Sequence, residues 1–324
     1  SDWSSDVCSS DLNNRGNCMI KSLIIGTGGT GGPIGAYLAK AGKDVTFIAR
    51  GNNLNALKNR GLSVISPNGD FTLAHVKASD LGSCLETPDV IFVCVKSYSL
   101  DAIIPDLQRI SGRHTIIIPI LNVFGTGGML QKHFPDTLVT DGCIYVAAKI
   151  KEPGCIEMYG DILRVIFGVR DKAEYRNELK EIEADLNDSG IEGILSDNIA
   201  RDALLKFSYV SPQGACGLYY GVSAGEIQKP GEIRNCFAGL VHEIDTIAQA
   251  MGIHFDEDIV KRNIDILDTL SPAATTSLQR DIAAGHESEI DGLIYEVVRL
   301  ADKYDIEAPI YRKIAAALKE RLEG

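Results

Sequence analysis

The sequence predicts an α/β protein: a parallel β-sheet with an antiparallel extension in its N-terminal part, followed by an all-α C-terminal part. Three observations predict it. From Lys21 onward, short β-branched runs alternate with helical stretches, the pattern of a parallel sheet covered by helices on both faces. A glycine cluster, "GTGGTGG" (Gly26–Gly32), stands between the first such run and the first helical stretch. Beyond Asp171 the β-branched runs give way to apolar residues spaced three and four apart.

The bulk properties fit that class. A chain of 324 residues is long enough for two domains and for a core that buries most of its apolar surface. A net charge of −12 repels a polyanion, which excludes nucleic acid as a partner. The run Val90–Val95 is far too short to span a bilayer, so no membrane role is expected. Cysteines at positions 8, 18, 84, 94, 143, 155, 216 and 236 form no Cys-x-x-Cys pair. They read as free thiols of a cytoplasmic protein rather than as zinc ligands or a redox motif. Residues 1–18, "SDWSSDVCSSDLNNRGNC", lack the basic start and apolar stretch of a signal peptide and resemble translated cloning sequence. They are expected to be a non-native leader, and Trp3 goes with them.

Taken in order, strands are predicted at Ser22–Ile25, Val45–Ile48, Val90–Val95 and Thr115–Ile118, and helices at Pro33–Ala41, Leu54–Arg60 and Leu100–Ile110. The 61–80 region reads as a hairpin or loop turning at "SPNGD" (Ser66–Asp70). Three further strand-like runs, Cys143–Lys149, Cys155–Tyr159 and Leu163–Gly168, are separated by "KEPG" and "GD" and predict the antiparallel extension. Two stripes then mark helical core: Ile233, Phe237, Leu240, Ile244, Ile247 and Met251, and Ile290, Leu293, Ile294, Val297 and Leu300. The expected division is a cofactor-binding domain at 19–190 and a helical substrate and catalytic domain at 191–324.

Gly26-x-Gly28-x-x-Gly31 lies in a full strand–turn–helix–strand context, which makes it a dinucleotide-binding turn of Rossmann type. The first glycine permits the tight turn, the second lets backbone approach a pyrophosphate, and the third lets helix pack on strand. Thr27, Gly29 and Thr30 complete the loop around the cofactor, Gly35 extends the close packing, and the helix N-terminus offers free N–H groups. Arg50 falls at the end of the second strand, where an acidic residue would select NAD. A guanidinium there can pair with a 2′-phosphate through two parallel hydrogen bonds, so NADP(H) is expected. The bland alternative is a solvated strand-end arginine.

Lys96 in "VCVKSYS" and Asn122 in "PILNVFGTGG" end the next two strands, on the edge where open parallel sheets bind ligands. In the helical part, Lys206 sits among Leu204, Leu205, Phe207 and Val210. Such a lysine either snorkels to water or, held in a cleft, has a lowered pKa suited to proton donation. "TTSLQRDIAAGHESEIDGL" carries Ser277 and Glu289; His286 and Glu287 do not make a zinc motif, and no metal is expected.

On these motifs the chain, from Met19 to near its C-terminus, resembles the ketopantoate reductase (2-dehydropantoate 2-reductase) family. "SLQRDIAAGHESEID" is the most specific of them. The resemblance implies a Rossmann domain followed by a helical domain, with a cleft where NADPH reduces ketopantoate to pantoate in the route to pantothenate and coenzyme A. It implies Lys206 as proton donor, Glu289 as the catalytic-site glutamate that binds the substrate's hydroxyl end, and Ser277 as carboxylate binder. Asn122 and Lys96 would be the cleft residues facing the cofactor, Asn122 touching substrate as well. The chain departs from the family pattern at Val123, where glycine is common, at Ser99, where glutamine is common, and at Val210 and Gly214, where better-known members carry asparagines. The alternatives are a reductase of another branched 2-keto acid and a non-catalytic NADPH-binding sensor. The expected partner is a small 2-keto acid, and a homodimer is left open.

Overall fold

A computed structural model describes residues 19–323; the expected leader at 1–18, with Trp3, Cys8 and Cys18, lies outside the described residues. The chain starts with β1 (Lys21–Ile25), α1 (Gly31–Lys40), β2 (Asp44–Ile48) and α2 (Gly51–Arg60). Then come β3 (Leu62–Ile65), β4 (Phe71–Leu73), β5 (Lys77–Ser79), β6 (Val90–Val93), α3 (Leu100–Ile110), β7 (Ile116–Pro119), α4 (Thr126–Gln131) and β8 (Leu138–Val139). Two long strands, β9 (Asp141–Glu152) and β10 (Cys155–Gly168), lead through α5 (Glu178–Asp188) to β11 (Glu192–Leu195). The rest is helical: α6 (Ile199–Tyr220), α7 (Ala224–Gln228), α8 (Glu232–Ala250), α9 (Ile259–Thr269), α10 (Ser277–Ala283), α11 (Glu296–Lys303) and α12 (Pro309–Glu323). A π turn, Asp291–Tyr295, leads into α11.

Six strands form a parallel sheet in the order β5-β2-β1-β6-β7-β8. Strand alternation splits its side chains between two cores. Leu23, Ile25, Ile91 and Val93 pack with Leu100, Leu107 and Leu130 of α3 and α4. Ile24, Phe47, Phe92 and Ile118 face the other way, toward Ile34 of α1 and toward a second sheet. Each buried aliphatic side chain of this kind stabilises the fold by about 1.5–3 kcal/mol. Because sheet lies on both sides of it, α1 is buried from Gly31 through Leu38.

The antiparallel strands gather in that second, mixed sheet, ordered β11-β10-β3-β4, with β9 on the other edge of β10. The three strand-like runs expected here are two strands. Gly160 and Asp161 do not turn the chain; they lie inside β10, where pairing with β9 shifts register between Met158 and Leu163. A bulge absorbs them because β9 is long enough to pair on both sides of it. The 61–80 region is a hairpin as expected, with Leu62 opposite Leu73 and Gly69 N donating to Ser66 O at 2.9 Å, but β5 adds an edge strand to the parallel sheet. A further strand lies beyond Asp171: β11 pairs only along β10, and the Asn187 amide bonds both backbone groups of Gly193. The strand-bearing part thus reaches Leu195, five residues past the expected division at 190.

In the helical part, Phe237, Leu240, Ile244 and Ile247 form the buried stripe of α8. The second stripe holds through Leu293, Ile294 and Val297, but passes through the π turn, whose extra residue re-aims the chain just after Glu289. The Ser211 hydroxyl bonds Leu293 O in that turn, and Tyr311 bonds Ser211 in turn at 2.6 Å. No helix among the described residues is long and apolar enough to cross a membrane.

Candidate active site

The glycine turn joins β1 to α1 at the carboxyl edge of the parallel sheet. Gly26 has φ +94°, and a Cβ there would lie 2.6 Å from Cys94 O, so both backbone angle and space require glycine. At Gly31 a Cβ would meet Gly26 O at 2.3 Å, and at Gly29 it would meet Ala148 O of β9 at 2.4 Å. Gly28 differs: a Cβ there would have no atom within 4 Å, so this is the open side of the turn. Thr27 Oγ1 donates to Ile48 O at 3.0 Å, and Thr30, the residue before α1, makes no side-chain cap. The Asn53 amide ties the turn to the second sheet, donating to Thr27 O and accepting from Gly154 N.

Arg50 follows β2 and starts α2 in extended conformation, φ −135° and ψ 159°. Its side chain is exposed and has no hydrogen-bond or ion-pair partner among the described residues.

Lys206 lies on the second turn of α6, the helix that bridges the strand-bearing and helical parts, between buried Leu204 and Phe207. Its Nζ donates to Asn122 Oδ1 at 2.7 Å, across 84 residues of sequence. A small cavity beside it is lined by Asn122, Val123, Cys143, Ala203 and Phe207. Burial pushes the Lys206 pKa down from its ordinary value, and Cys143 and Glu289 only partly oppose this. Burial likewise pushes the Cys143 thiol up to about 11, with Lys206 easing the effect.

A second cluster forms where the strand edge meets α10. Lys96 Nζ lies 3.0 Å from Asp281 Oδ2 and 3.4 Å from Glu289 Oε2. Ser97 N donates to Glu289 Oε1 at 3.0 Å, so a carboxylate only 4% exposed has a partner for each oxygen. Each oxygen keeps a further lone pair. Burial alone would lower the Lys96 pKa, but the Glu289 and Asp281 charges outweigh it and the pKa is raised. Ser277 begins α10 half-buried, and its hydroxyl has no hydrogen-bond partner among the described residues. It stands one helical turn from Asp281.

The residues that depart from the family pattern have structural surroundings of their own. A Cβ on Gly214 would lie 3.2 Å from Leu278, so the missing side chain lets α10 sit close on α6. Val210 packs against the helical core. A Cβ on Gly292 in the π turn would lie 2.6 Å from Val123, so glycine there makes room for the valine across the cleft.

The fold therefore brings Lys206 to Asn122 and Lys96 to Glu289, while Arg50 and Ser277 stand without side-chain partners among the described residues. Sequence reasoning gave no role to Asp281 or to the Ser97 backbone. The signal for Asp281 was its four-residue spacing from Ser277, which puts both on one helix face. Among the described residues no cluster of three or more His, Cys, Asp or Glu side chains could hold a metal.

The family model "Ketopantoate reductase PanE/ApbA" matches residues 22–172, and its C-terminal counterpart matches residues 198–322. An oxidoreductase of Bacillus subtilis (strain 168), named YkpB and called uncharacterized, is 26% identical over 302 residues, covering 93% of this chain and 98% of that one. A 2-dehydropantoate 2-reductase of Pyrococcus horikoshii is 28% identical over 303 residues, covering 93% and 97%. Of solved structures, the 2-dehydropantoate 2-reductase of Methylococcus capsulatus superposes with a TM-score of 0.82 at 24% identity, covering 93% of this chain and 96% of that one. A D-mandelate dehydrogenase solved with NADH and anilino(oxo)acetate gives a TM-score of 0.83 at 20% identity, covering 94% and 100%. At those identities the two structures share the fold.

Proposed function

Because the chain belongs to the ketopantoate reductase family, a family of oxidoreductases, we propose that it reduces 2-dehydropantoate (ketopantoate) to pantoate with NADPH. The observation that carries the reading is Lys206: a lysine of lowered pKa, fixed by Asn122 at the rim that holds the glycine turn. A dinucleotide phosphate fits the chain. Gly28 is open, the first N–H groups of α1 carry no side-chain cap, and Arg50 is an unpaired guanidinium at the end of β2.

Bound NADPH supplies the hydride that adds to the keto carbon. Lys206 polarises the keto oxygen and delivers its Nζ proton there as negative charge builds. Asn122 holds Nζ in place through Oδ1. Ser277, whose hydroxyl is free, binds the substrate carboxylate, and Glu289 accepts from the substrate's hydroxyl with its remaining lone pairs. Lys96 holds the Glu289 carboxylate in place. In this reading residues 19–190 bind cofactor and residues 191–324 supply substrate contacts and the proton, in a cytoplasmic enzyme of the route to pantothenate.

A second reading, reduction of another branched 2-keto acid, is favoured by Val123, Ser99, Val210 and Gly214. A non-catalytic NADPH sensor would need neither Lys206 nor Glu289. The test is NADPH consumption with ketopantoate against a panel of 2-keto acids, each repeated with NADH. Preference for ketopantoate with NADPH supports the first reading, preference for another keto acid replaces it with the second, and no turnover with any overturns both.

A further inference from the structure

Away from the cleft, the helical core holds a pair of thiols that the reductase reading does not use. Tyr220 Oη, on the last turn of α6, donates to Glu232 Oε1 at the start of α8 at 3.4 Å. Four residues back along α6 and four forward along α8 return to the same helix faces. The residues there are Cys216 and Cys236. Both belong to the one apolar cluster of the helical core, Cys216 within it and Cys236 packed against it, and the two thiols and the Tyr220 hydroxyl perturb one another electrostatically. Cys216 is fully buried, whereas Cys236 is partly exposed. The pair thus joins a partly exposed cysteine on α8 to a buried one on α6.

We propose that Cys216 and Cys236 are a site of reversible oxidation, forming a disulfide between α6 and α8 on reaction with a hydroperoxide, Cys236 attacking and Cys216 resolving. Cys236 sulfur attacks the peroxide, the O–O bond breaks, and Cys236 becomes a sulfenic acid as the peroxide leaves as an alcohol or water. Cys216 sulfur then displaces the sulfenic hydroxyl, which takes the Cys216 proton and leaves as water. Two electrons pass from the sulfurs to the peroxide, and a thiol reductant reverses the change.

The electrostatics agree with this order. The interaction with Cys216 holds the Cys236 thiol below its ordinary value, with Tyr220 and the Lys313 ammonium of α12 helping and burial opposing, while the same interaction pushes Cys216 up. Elsewhere burial pushes up the thiols of Cys94, Cys143 and Cys155, and a thiol that stays protonated is a poor nucleophile.

The test treats the folded chain with graded hydrogen peroxide near neutral pH, blocks remaining thiols with N-ethylmaleimide, and maps tryptic peptides without reduction. Cleavage after Arg234 separates the two cysteines, so the expected product is one cross-linked peptide pair, two hydrogens lighter than its parts and lost on reduction. In Cys216→Ser, Cys236 should accumulate sulfenic acid that dimedone traps; in Cys236→Ser, Cys216 should stay reduced. Oxidation of Cys236 to sulfinic acid with Cys216 still free, or oxidation no faster than that of Cys94 and Cys155, overturns the proposal. The wild-type map decides this even where a serine variant folds poorly.

Discussion

Lys206→Ala removes the proton held at Nζ together with the 2.7 Å hydrogen bond to Asn122. In the proposed reaction negative charge collects on the keto oxygen as hydride reaches carbon, so the loss falls on the transition state. General acid catalysis is worth about 10²–10⁴-fold, or about 2.7–5.5 kcal/mol at 1.36 kcal/mol per decade. Steady-state NADPH oxidation should show kcat falling by that factor, while NADPH affinity, read by fluorescence titration, barely moves. Lys206→Arg keeps the charge but yields its proton reluctantly, so it should recover KM better than kcat. The pH profile gives an independent reading. Burial lowers the Lys206 pKa, and a general acid works only while protonated. Turnover is therefore full below that pKa and lost as pH rises through it, so the falling limb should lie below the ordinary lysine range. Asn122→Asp places a carboxylate at Nζ, favours the ammonium, and should move the limb to higher pH. Wild-type turnover by Lys206→Ala, or a limb unmoved by Asn122→Asp, would refute the assignment.

Arg50→Ala should weaken NADPH by about 1.5–3 kcal/mol and leave NADH unchanged, because the exposed guanidinium supports nothing else among the described residues; equal losses for both cofactors would point to a structural role. Glu289→Ala should raise KM for ketopantoate while NADPH binding persists, and Glu289→Gln should be milder; unchanged kinetics for the alanine variant would sink the role given to this carboxylate. Gly292→Ala drives a Cβ to 2.6 Å from Val123 and should cost about 1–3 kcal/mol in urea unfolding. Adding Val123→Ala should recover most of that loss, and simple additivity would show that the two residues do not press on each other.

What was legible in the sequence is what local pattern encodes. The runs that became β1, β2, β6 and β7 are β-branched and buried on both faces, and α3 was expected with its observed ends because its apolar stripe stops at Ile110. The strands that escaped are short: Lys77–Ser79, Leu138–Val139 and Glu192–Leu195 become strands only because an edge of β2, β7 or β10 is there to pair with. Gly160–Asp161 looked like a turn because nothing local reveals that a partner strand runs past it. The site divided in the same way. The glycine turn is a contiguous motif, but Lys206 meets Asn122, and Lys96 meets Glu289, only through separations of 84 and 193 residues. The resemblance pointed to those residues; their pairing is a product of the fold. Asp281 went unassigned because its partner Lys96 is equally remote in sequence.

The contacts around the glycine turn separate two kinds of constraint that a motif reports as one. Gly29 is pressed against Ala148 O and Gly31 against Gly26 O, both main-chain atoms, so no change of side chain at position 148 or 26 can make room for a larger residue. Gly28 touches nothing on that side. In a library of variants scored once for folded yield and once for cofactor retention, positions 29 and 31 should fail both screens together. Position 28 should pass the first and fail the second. The residue that a ligand requires is then told apart from those the architecture requires by where the two scores disagree, without any bound cofactor in view.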